Sequence, residues 1–292
     1  MKIYDCTTFH SEHMMMDVRF NALNEHIHKF IVVESLFSHS GKKKKLNFDI
    51  NNYPKFKDKI IYLVIDREPD NLINPLNENI QYKRINSIKR IELSYDFMMS
   101  EIKKLSDNDL IILSDNDEIP NLDSIQFKDS NSDIYIFKQL FFYYKFNLLY
   151  DRMYWFGSKA CTKKKLKSLS WLRNLKNKKY PFWRMDTFFS KTKSSSLKII
   201  NDGGWHFTNV MSAENLYTKM TNFGHHDEFE LSELSVEDLK IKINQGLVFY
   251  DHFAGQEDKN KWEFNYKLKK ISDNLLPDSL IKDKIKLKEW FN

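Results

Sequence analysis

Residues 110–120 read Leu-Ile-Ile-Leu-Ser-Asp-Asn-Asp-Glu-Ile-Pro, and this stretch decides the fold. Leu110 to Leu113 form a short apolar run that is typical of a buried strand. Acidic residues follow at once, and Pro120 then interrupts regular structure. A buried strand therefore ends in clustered carboxylates, which repel one another unless a positive charge offsets them. A hard divalent cation meets that need, and ligands of open α/β sheets bind beyond the carboxyl ends of the strands.

The same residues also suit a polar turn, because Asp and Asn side chains bond to nearby backbone groups. An Asp-x-Asp pair by itself is common in solvated loops. The apolar strand before Asp115 and Asp117, and the third acid after them, favour a metal site instead. A cation held there can also bind a diphosphate.

The composition indicates a globular protein with a sizeable core. The chain has 292 residues, of which 41% are hydrophobic and 15% aromatic. It contains only 7 glycines and neither of the common glycine-rich phosphate loops, so nucleotide binding must use a metal and side chains. Its 46 basic residues are nearly matched by 40 acids, so we expect no nucleic-acid partner.

The cysteines and the first residues bear on localisation. Cys6 and Cys161 give no disulfide framework and have no partner at zinc-finger spacing. The N-terminus passes directly into strand-like sequence, and no long apolar segment follows. The sequence thus predicts a cytoplasmic protein with no signal peptide and no membrane span.

Strands alternate with helices over the first 120 residues. We predict strands at 2–8, 30–33, 60–65 and 110–113, and helices at 17–28 and 80–104. This alternation predicts an α/β fold with a mostly parallel sheet flanked by helices.

The pattern changes after Pro120. We predict strands at 134–144, 154–157 and 198–201, and a glycine-containing turn into another strand at 202–208. We also predict a basic loop at 163–180 and a helix at 212–221 with Ser212 as its N-cap. No linker is evident, so one domain with two halves is expected over residues 1–258.

Residues 259–292 form a lysine-rich amphipathic tail. A basic amphipathic helix can lie on an anionic membrane, which would bring the protein to the inner face of a membrane. The commoner arrangement is a helix that packs on the sheet and leaves its lysine face in water.

Four segments form a recognisable set. They are Lys2-Ile-Tyr-Asp-Cys-Thr-Thr-Phe9 with Glu12 and Asp17-Val-Arg19; Phe30-Ile-Val-Val-Glu34 with His39-Ser-Gly-Lys42; Ser114-Asp-Asn-Asp-Glu-Ile-Pro120; and Asp202-Gly-Gly-Trp-His-Phe207 with Phe223-Gly-His225. Together they resemble glycosyltransferase family 17, the group of the bisecting β-1,4-N-acetylglucosaminyltransferase. The resemblance runs from residue 2 to about residue 255.

The resemblance implies a GT-A-type fold, with a nucleotide-binding half over 1–120 and a mixed acceptor half over 121–258. It implies an inverting transfer from a nucleotide sugar, UDP-N-acetylglucosamine, onto a hydroxyl of a glycan or glycolipid. Because the animal enzymes carry a membrane anchor and stem, the chain looks like a microbial or viral member.

The sequence departs from the family's pattern in places. Asn116 replaces the usual Val between the two motif acids. The family's Trp-Glu-Asn-Glu stretch is reduced to Asn77-Glu-Asn-Ile80, and its Gln-Arg is Lys83-Arg84.

The implied chemistry assigns the metal ligands. Asp115 and Asp117 match the motif acids, with Asp117 as the direct ligand of Mn2+ or Mg2+ and Asp115 contacting metal or ribose. The ion stabilises the leaving diphosphate as a Lewis acid. His225 is a further candidate ligand by analogy with other GT-A enzymes. It is otherwise a surface histidine beside His226 and Asp227.

An inverting reaction also needs a base that deprotonates the acceptor hydroxyl. Asp202 and Glu214 are the two best-placed acids, and Asp186 is a third option. Asp202 precedes two glycines that let a sugar approach the backbone. Each also has a structural interpretation, since Asp202 suits a turn and Glu214 suits the start of a helix.

The remaining candidates bind substrate. Gly203, Gly204 and Trp205 are expected in the acceptor site, because apolar sugar faces stack on indole. The alternative for Trp205 is a core position with its N–H satisfied. His206 is a catalytic candidate that can bond a hydroxyl.

Thr7, Glu34 and Arg84 are candidates for nucleoside contacts, since the ends of the first strands usually flank the nucleotide. For Arg19 we expect an ion pair with Glu12 or Asp17.

Two other functions use the same residues. A metal-dependent phosphohydrolase or nuclease would need no sugar acceptor, and a carbohydrate-binding protein would need no metal or nucleotide. The acids at separate strand ends favour an enzyme over the binding protein.

Overall fold

Short apolar runs of the sequence form the strands of a central sheet. A computed structural model describes residues 1–74, 81–123, 125, 127, 133–178, 180, 190, 192–222, 229, 232–255 and 258–292. The strands of the central sheet are β1 Ile3–Phe9, β2 Lys29–Ser35, β3 Ile60–Ile65, β4 Leu110–Leu113, β6 Ile134–Phe137, β9 Lys159–Thr162 and β10 Leu197–Ile200. They lie in the order β10-β6-β9-β4-β1-β2-β3.

The central sheet is mostly parallel. Only β9 runs against its neighbours, between β4 and β6. All four residues of β4 are buried, as expected for a strand that is covered on both faces. The predicted strands at 30–33, 60–65 and 110–113 are confirmed, and so is the predicted α/β class with a mostly parallel sheet.

A second sheet continues from the acidic stretch. Its strands are β5 Glu118–Pro120, β7 Leu140–Tyr143, β8 Leu148–Leu149, β11 Gly204–Thr208 and β14 Lys269–Lys270, in the order β14-β8-β7-β11-β5. A further pair is formed by β12 Leu247–Val248 and β13 Tyr266–Lys267. Pro120 is therefore the last residue of an unpredicted strand, β5, which lies at the edge of its sheet, where proline is tolerated.

Two strand predictions in this half were wrong. The aromatic run at 134–144 is divided, since β6 lies in the central sheet and β7 in the second. Residues 154–157 form only an isolated bridge, through Trp155 and Gln139. Aromatic and β-branched residues mark buried chain here, but they do not say which sheet receives it.

The helices are α1 His13–Leu23, α2 Gln81–Ile102, α3 Leu169–Asn174, α4 Ala213–Asn222, α5 Val236–Gln245 and α6 Asp278–Lys282. The helix predicted at 80–104 is a single element, and Ser212 accepts a hydrogen bond from the Asn215 amide at the start of α4. Helix α3 contradicts the loop predicted at 163–180. Leu169 and Leu172 are fully buried, but two apolar positions among many lysines were too weak a pattern.

Helix α1 and the tail cover one face of the central sheet, and α2 and α3 cover the other. The tail is a series of short elements, so no continuous amphipathic helix forms. Leu276 and Leu280 are 4% and 1% exposed within the core beside α1, whereas Ile285 is 89% exposed. The tail thus packs on the fold. Its β14 pairs with β8, and the domain boundary at residue 258 stays a prediction.

Within the part of the chain that the structure describes, no helix is both long and apolar enough to cross a membrane.

We expect Leu280→Ala to lower the free energy of unfolding by roughly 2–5 kcal/mol, because it leaves a cavity in the core. Ile285→Ala, in the same tail, should change it by less than about 0.5 kcal/mol. Urea unfolding of both variants checks this. Equal, small effects would show that the tail does not belong to the folded core.

Candidate active site

The acidic stretch connects the two sheets. Strand β4 ends at Leu113 and β5 begins at Glu118, so the residues between them form a tight turn in which the Glu118 amide donates to the Asp115 carbonyl at 3.1 Å. The Asp117 carbonyl accepts from the Phe207 amide of β11 at 2.8 Å. The turn is therefore held by the second sheet at one end and by the central sheet at the other.

A buried ion pair stabilises the backbone of this turn. The Arg19 guanidinium donates to both carboxylate oxygens of Asp5, at 2.8 and 2.5 Å, and both side chains are 0% exposed. Its remaining N–H groups reach the carbonyl oxygens of Glu118 at 2.6 Å and Asp115 at 3.2 Å. The expected partners Glu12 and Asp17 were wrong, because Arg19 faces the sheet and meets an acid on β1.

Glu118, the third acid, is fully buried. One carboxylate oxygen accepts from the Trp155 indole at 2.6 Å, and the other accepts from Arg173 at 3.0 Å and from the Asp115 amide at 2.9 Å. A Cβ at residue 157 would lie 1.8 Å from this carboxylate, so a larger residue than Gly157 would displace the Glu118 side chain. The Glu118 side chain thus holds the acidic turn in place.

Arg173 of α3 also holds Asp115. Its Nη2 lies 2.6 Å from the Asp115 carboxylate, whose side chain remains 51% exposed. The backbone around Arg173 is fixed in turn by Lys159, which donates to the Leu175 carbonyl at 2.7 Å and also to the Arg173 carbonyl.

The three acids differ in the ease of ionisation. Desolvation raises the pKa of Asp115, and the Glu118 and Asp117 carboxylates add to this against the opposing effect of Arg173. Desolvation opposes ionisation of Glu118 too, but Arg173 and His206 together outweigh it and lower the pKa of Glu118. At Asp117, desolvation is outweighed by His206 and Lys219, so the pKa lies well below its usual value. Asp117 is therefore a carboxylate at any ordinary pH.

Asp117 is flanked by two nitrogen groups. His206 Nε2 lies 3.6 Å from one carboxylate oxygen, and Lys219 Nζ lies 3.8 Å from the other. The His206 ring stacks against Phe141 and Trp155, with ring centroids at 4.7 and 4.6 Å. Its Nδ1 is buried and has no hydrogen-bond partner among the described residues.

A cleft of about 300 Å³ opens beside Asp117. It lies between the start of α1, the acidic turn, α4 and the end of the chain. Its polar wall includes His10, Glu12, Asn116, Asp117, Asn215 and Lys219. Its apolar wall consists of Met14, Met15, Phe207, Val210, Met211 and Trp290. This cleft is the place where Asp117 can meet a ligand.

A larger cavity, of about 590 Å³, lies nearby. The loop after β2 and the first turns of α2 form most of it, with Ser40, Lys42, Tyr82, Lys83, Asn86 and Arg90. Helix α4 links the two spaces, since Lys219 lines the cleft and Thr221 lines the larger cavity. The Ser40 amide also donates to the Asn222 carbonyl at 3.3 Å. Both spaces thus adjoin the carboxyl edge of the parallel strands.

The chain matches one known protein family over most of its length. The model of glycosyltransferase family 17 matches residues 1–255. The chain belongs to glycosyltransferase family 17. It is therefore a glycosyltransferase, and the family implies a nucleotide-sugar donor and a glycan acceptor.

The curated proteins and the solved structures do not extend this assignment. No curated protein matches the chain. Among solved structures, the inositol-1-phosphate CTP transferase from T. maritima is 13% identical, with a TM-score of 0.30, over 56% of this chain and 71% of that one. HddC from Yersinia pseudotuberculosis, complexed with GMP-PN, is 10% identical, with a TM-score of 0.30, over 69% and 91%. We base no conclusion on these two.

Several residues that the family resemblance suggested lie away from the cleft. Asp202 is exposed, and its carboxylate accepts from the Asn121 side chain at 3.1 Å. A Cβ on Gly203 would lie 2.3 Å from the Lys138 amide nitrogen, and Gly204 has φ +105 with the Ile119 carbonyl 2.2 Å from such a Cβ. These glycines therefore allow close packing of β11, and their predicted acceptor role stays untested.

Trp205 and His206 point to opposite faces of β11, as successive strand residues do. Trp205 donates from its indole to the Leu275 carbonyl at 2.6 Å, so the tail covers it. Glu214 is exposed on α4 and does not line the cleft, whereas its neighbour Asn215 does. His206, by contrast, lies with its Nε2 3.6 Å from the Asp117 carboxylate.

The three residues that were expected to contact the nucleoside lie at separate places in the fold. Glu34 is fully buried, and its carboxylate accepts from Tyr62, from Lys44 and from the amides of Asn47 and Phe48. It therefore organises the loop after β2. Thr7 is buried within β1, and Arg84 lies on α2 but lines neither space. These donor roles stay predictions.

His225, Asp186 and residues 77–80 lie outside the described residues.

Sequence reasoning missed four residues at or beside the site. Arg173 lay in a stretch that was interpreted as a loop, and Lys219 had no distinguishing pattern. Glu12 was quoted only as part of a motif. Trp290 lay in the tail, beyond the resemblance. Only Glu12 carried a usable signal, as an acid directly after β1.

The two motif acids are suitable for a hard cation. Among the described residues, no three His, Cys, Asp or Glu side chains are grouped to hold a metal. Asp115 and Asp117 supply carboxylate oxygens, which Mg2+ and Mn2+ prefer, and such ions usually complete their shell with water and substrate phosphates. The residues present thus fit a metal that is shared with a diphosphate.

We expect Arg19→Met to lower the free energy of unfolding by about 3–5 kcal/mol, because it leaves Asp5 charged and unpaired in the core. Lys104→Met removes a pair with Glu101 in which the lysine is 66% exposed, and should cost at most about 1 kcal/mol. Urea unfolding measures both. Similar losses would mean that Arg19 does not support the acidic turn.

Proposed function

We propose that this family member is a metal-dependent inverting glycosyltransferase of the GT-A type. It takes N-acetylglucosamine from UDP-N-acetylglucosamine and transfers it to a hydroxyl of a glycan or glycolipid. One observation carries the proposal: Asp117 is held ionised at an open cleft, at the carboxyl edge of a mostly parallel sheet. This edge is where α/β folds bind their ligands.

The two adjoining spaces suit the shape of a nucleotide sugar. Such a donor is elongated, with a nucleoside at one end and a sugar at the other. The larger cavity bears Lys42 on its wall, which favours an anionic nucleotide, while Arg90 lines the same cavity and donates to both carboxylate oxygens of Glu68. With the nucleoside in the larger cavity, the diphosphate lies at Asp117 and the sugar end reaches the mouth of the cleft, which leaves the cleft itself to the acceptor.

Asp115 and Asp117 hold Mn2+ or Mg2+ in this proposal. The bound ion supplies positive charge to the leaving diphosphate. The chain's own part is to fix both carboxylates: Arg173 orients Asp115, while His206 and Lys219 keep Asp117 ionised.

Glu12 is the carboxylate best placed to act as base. It lines the cleft together with Asp117, whereas Asp202 and Glu214 do not. Its Oε2 accepts from the amides of Ser11 and His10 at 2.9 and 3.2 Å and from Asn116 at 2.9 Å. Its Oε1 accepts no hydrogen bond from the part of the chain that the structure describes. That oxygen is left to take a proton from an acceptor hydroxyl.

We expect Mn2+ with UDP-N-acetylglucosamine to raise the melting temperature by a few degrees and to give slow release of UDP, because binding stabilises the folded state. Asp117→Asn should abolish both effects, and EDTA should do the same to the natural chain. Asp278→Asn, an exposed acid of the tail, is the control. Release of inorganic phosphate, or cleavage of nucleic acid, without sugar transfer would instead indicate a phosphohydrolase or nuclease.

Glu12→Gln should lower transfer by about 10²-fold or more, because it removes the base and keeps the side chain's shape. Donor-dependent stabilisation should persist, since the variant can still accept from Asn116. Asp202→Asn and Glu214→Gln should transfer at the natural rate. Transfer rates with labelled donor decide: loss in one of these two, with Glu12→Gln active, would move the base to that residue.

A further inference from the structure

The last residues of the chain reach the cleft, although the family match ends at residue 255. Trp290 lines the same space as Asp117 and Glu12. Among the described residues that line the cleft, the aromatic side chains are Trp290, Phe207, His10 and His13. A segment outside the family region therefore completes the site's wall.

We call residues 288–292 the C-terminal strap. Hydrogen bonds and ring contacts hold its residues in place around Trp290. The Trp290 carbonyl accepts from the Phe146 amide at 2.9 Å. The Asn147 side chain bonds to both the amide and the carbonyl of Asn292, at 2.9 and 3.1 Å. Phe291 packs on Phe146 with ring centroids 5.6 Å apart. Trp290 is thus held in one position against the turn between β7 and β8.

The cleft is lined by side chains of two kinds. Trp290, Met14, Phe207 and Val210 are apolar, and Glu12, Asp117, Asn116 and Asn215 carry carboxylate and amide groups. A sugar ring has the same division, with C–H groups on its faces and hydroxyls at its rim. Indole gives a large, rigid apolar surface at low entropic cost, which suits such a face. Trp205, the residue expected in this role, is instead bonded to the tail.

We propose that Trp290 is the stacking platform for the acceptor sugar, so that the C-terminal strap determines which acceptor the enzyme takes. The proposal rests on the glycosyltransferase function above. It places the acceptor ring between the indole and the polar wall, where a ring hydroxyl faces Glu12. The acceptor is therefore a sugar with an unsubstituted apolar face, and the volume of about 300 Å³ limits the cleft to a short portion of a glycan.

The experiment measures sugar binding directly. The full chain, with UDP and Mg2+, is mixed with the methyl β-glycosides of galactose, glucose, mannose and N-acetylglucosamine, and saturation transfer from protein to ring protons is recorded by NMR. We expect transfer to at least one sugar. Trp290→Ala should weaken its binding at least about tenfold, and Trp290→Phe should restore part of the loss. Ile285→Ala, which is exposed in the same tail, should bind as the natural chain does.

Thermal unfolding of each variant separates loss of the platform from loss of the fold. Release of UDP from UDP-N-acetylglucosamine is measured in parallel on the natural chain. Binding to none of the four sugars, or equal binding by Trp290→Ala and the natural chain, would overturn the platform. Absence of UDP release in the natural chain would instead count against the proposed function, and the sugar-binding result would still decide the role of Trp290.

Discussion

The buried pair of Asp5 and Arg19 is the constraint on which the site depends. Asp5 lies on the first strand and Arg19 on the first helix, and neither is exposed to water. Because Asp5 neutralises the guanidinium, the remaining N–H groups are directed to the carbonyls of Asp115 and Glu118. One arginine thus fixes the backbone that carries the acids while leaving their carboxylates to other partners. The arginine that positions the motif acids is fully buried, so it is not available to contact a substrate.

Environment gives the neighbouring acids different tasks. The Glu118 carboxylate accepts hydrogen bonds from Trp155 and Arg173 and stabilises the fold. Asp115 is half exposed and held by Arg173, and Asp117 faces the cleft between His206 and Lys219. A short stretch of sequence therefore contains one acid that is enclosed by the fold and two that remain partly exposed. Burial and neighbours, rather than residue type, distinguish them.

The sequence predicts the central sheet well because its strands are continuous apolar runs, and the acids at the end of β4 follow from that placement. The residues of β11 show why the rest was harder. Alternation along the strand puts His206 beside Asp117 and turns Trp205 toward the tail, and only the pairing with β5 and β7 decides which faces which. The cleft itself joins Glu12 and Trp290 from opposite ends of the chain, and no local pattern encodes such a meeting.

In the proposed reaction, the enzyme depends on a cation that is shared between the acidic turn and the donor. Crystals grown with UDP and Mn2+ test this most directly, because manganese can be located by its anomalous scattering. We predict one peak in contact with the carboxylates of Asp115 and Asp117, with the diphosphate on its other side and the uridine in the cavity beside α2. A peak at another place, or UDP bound away from this edge of the sheet, would contradict the account.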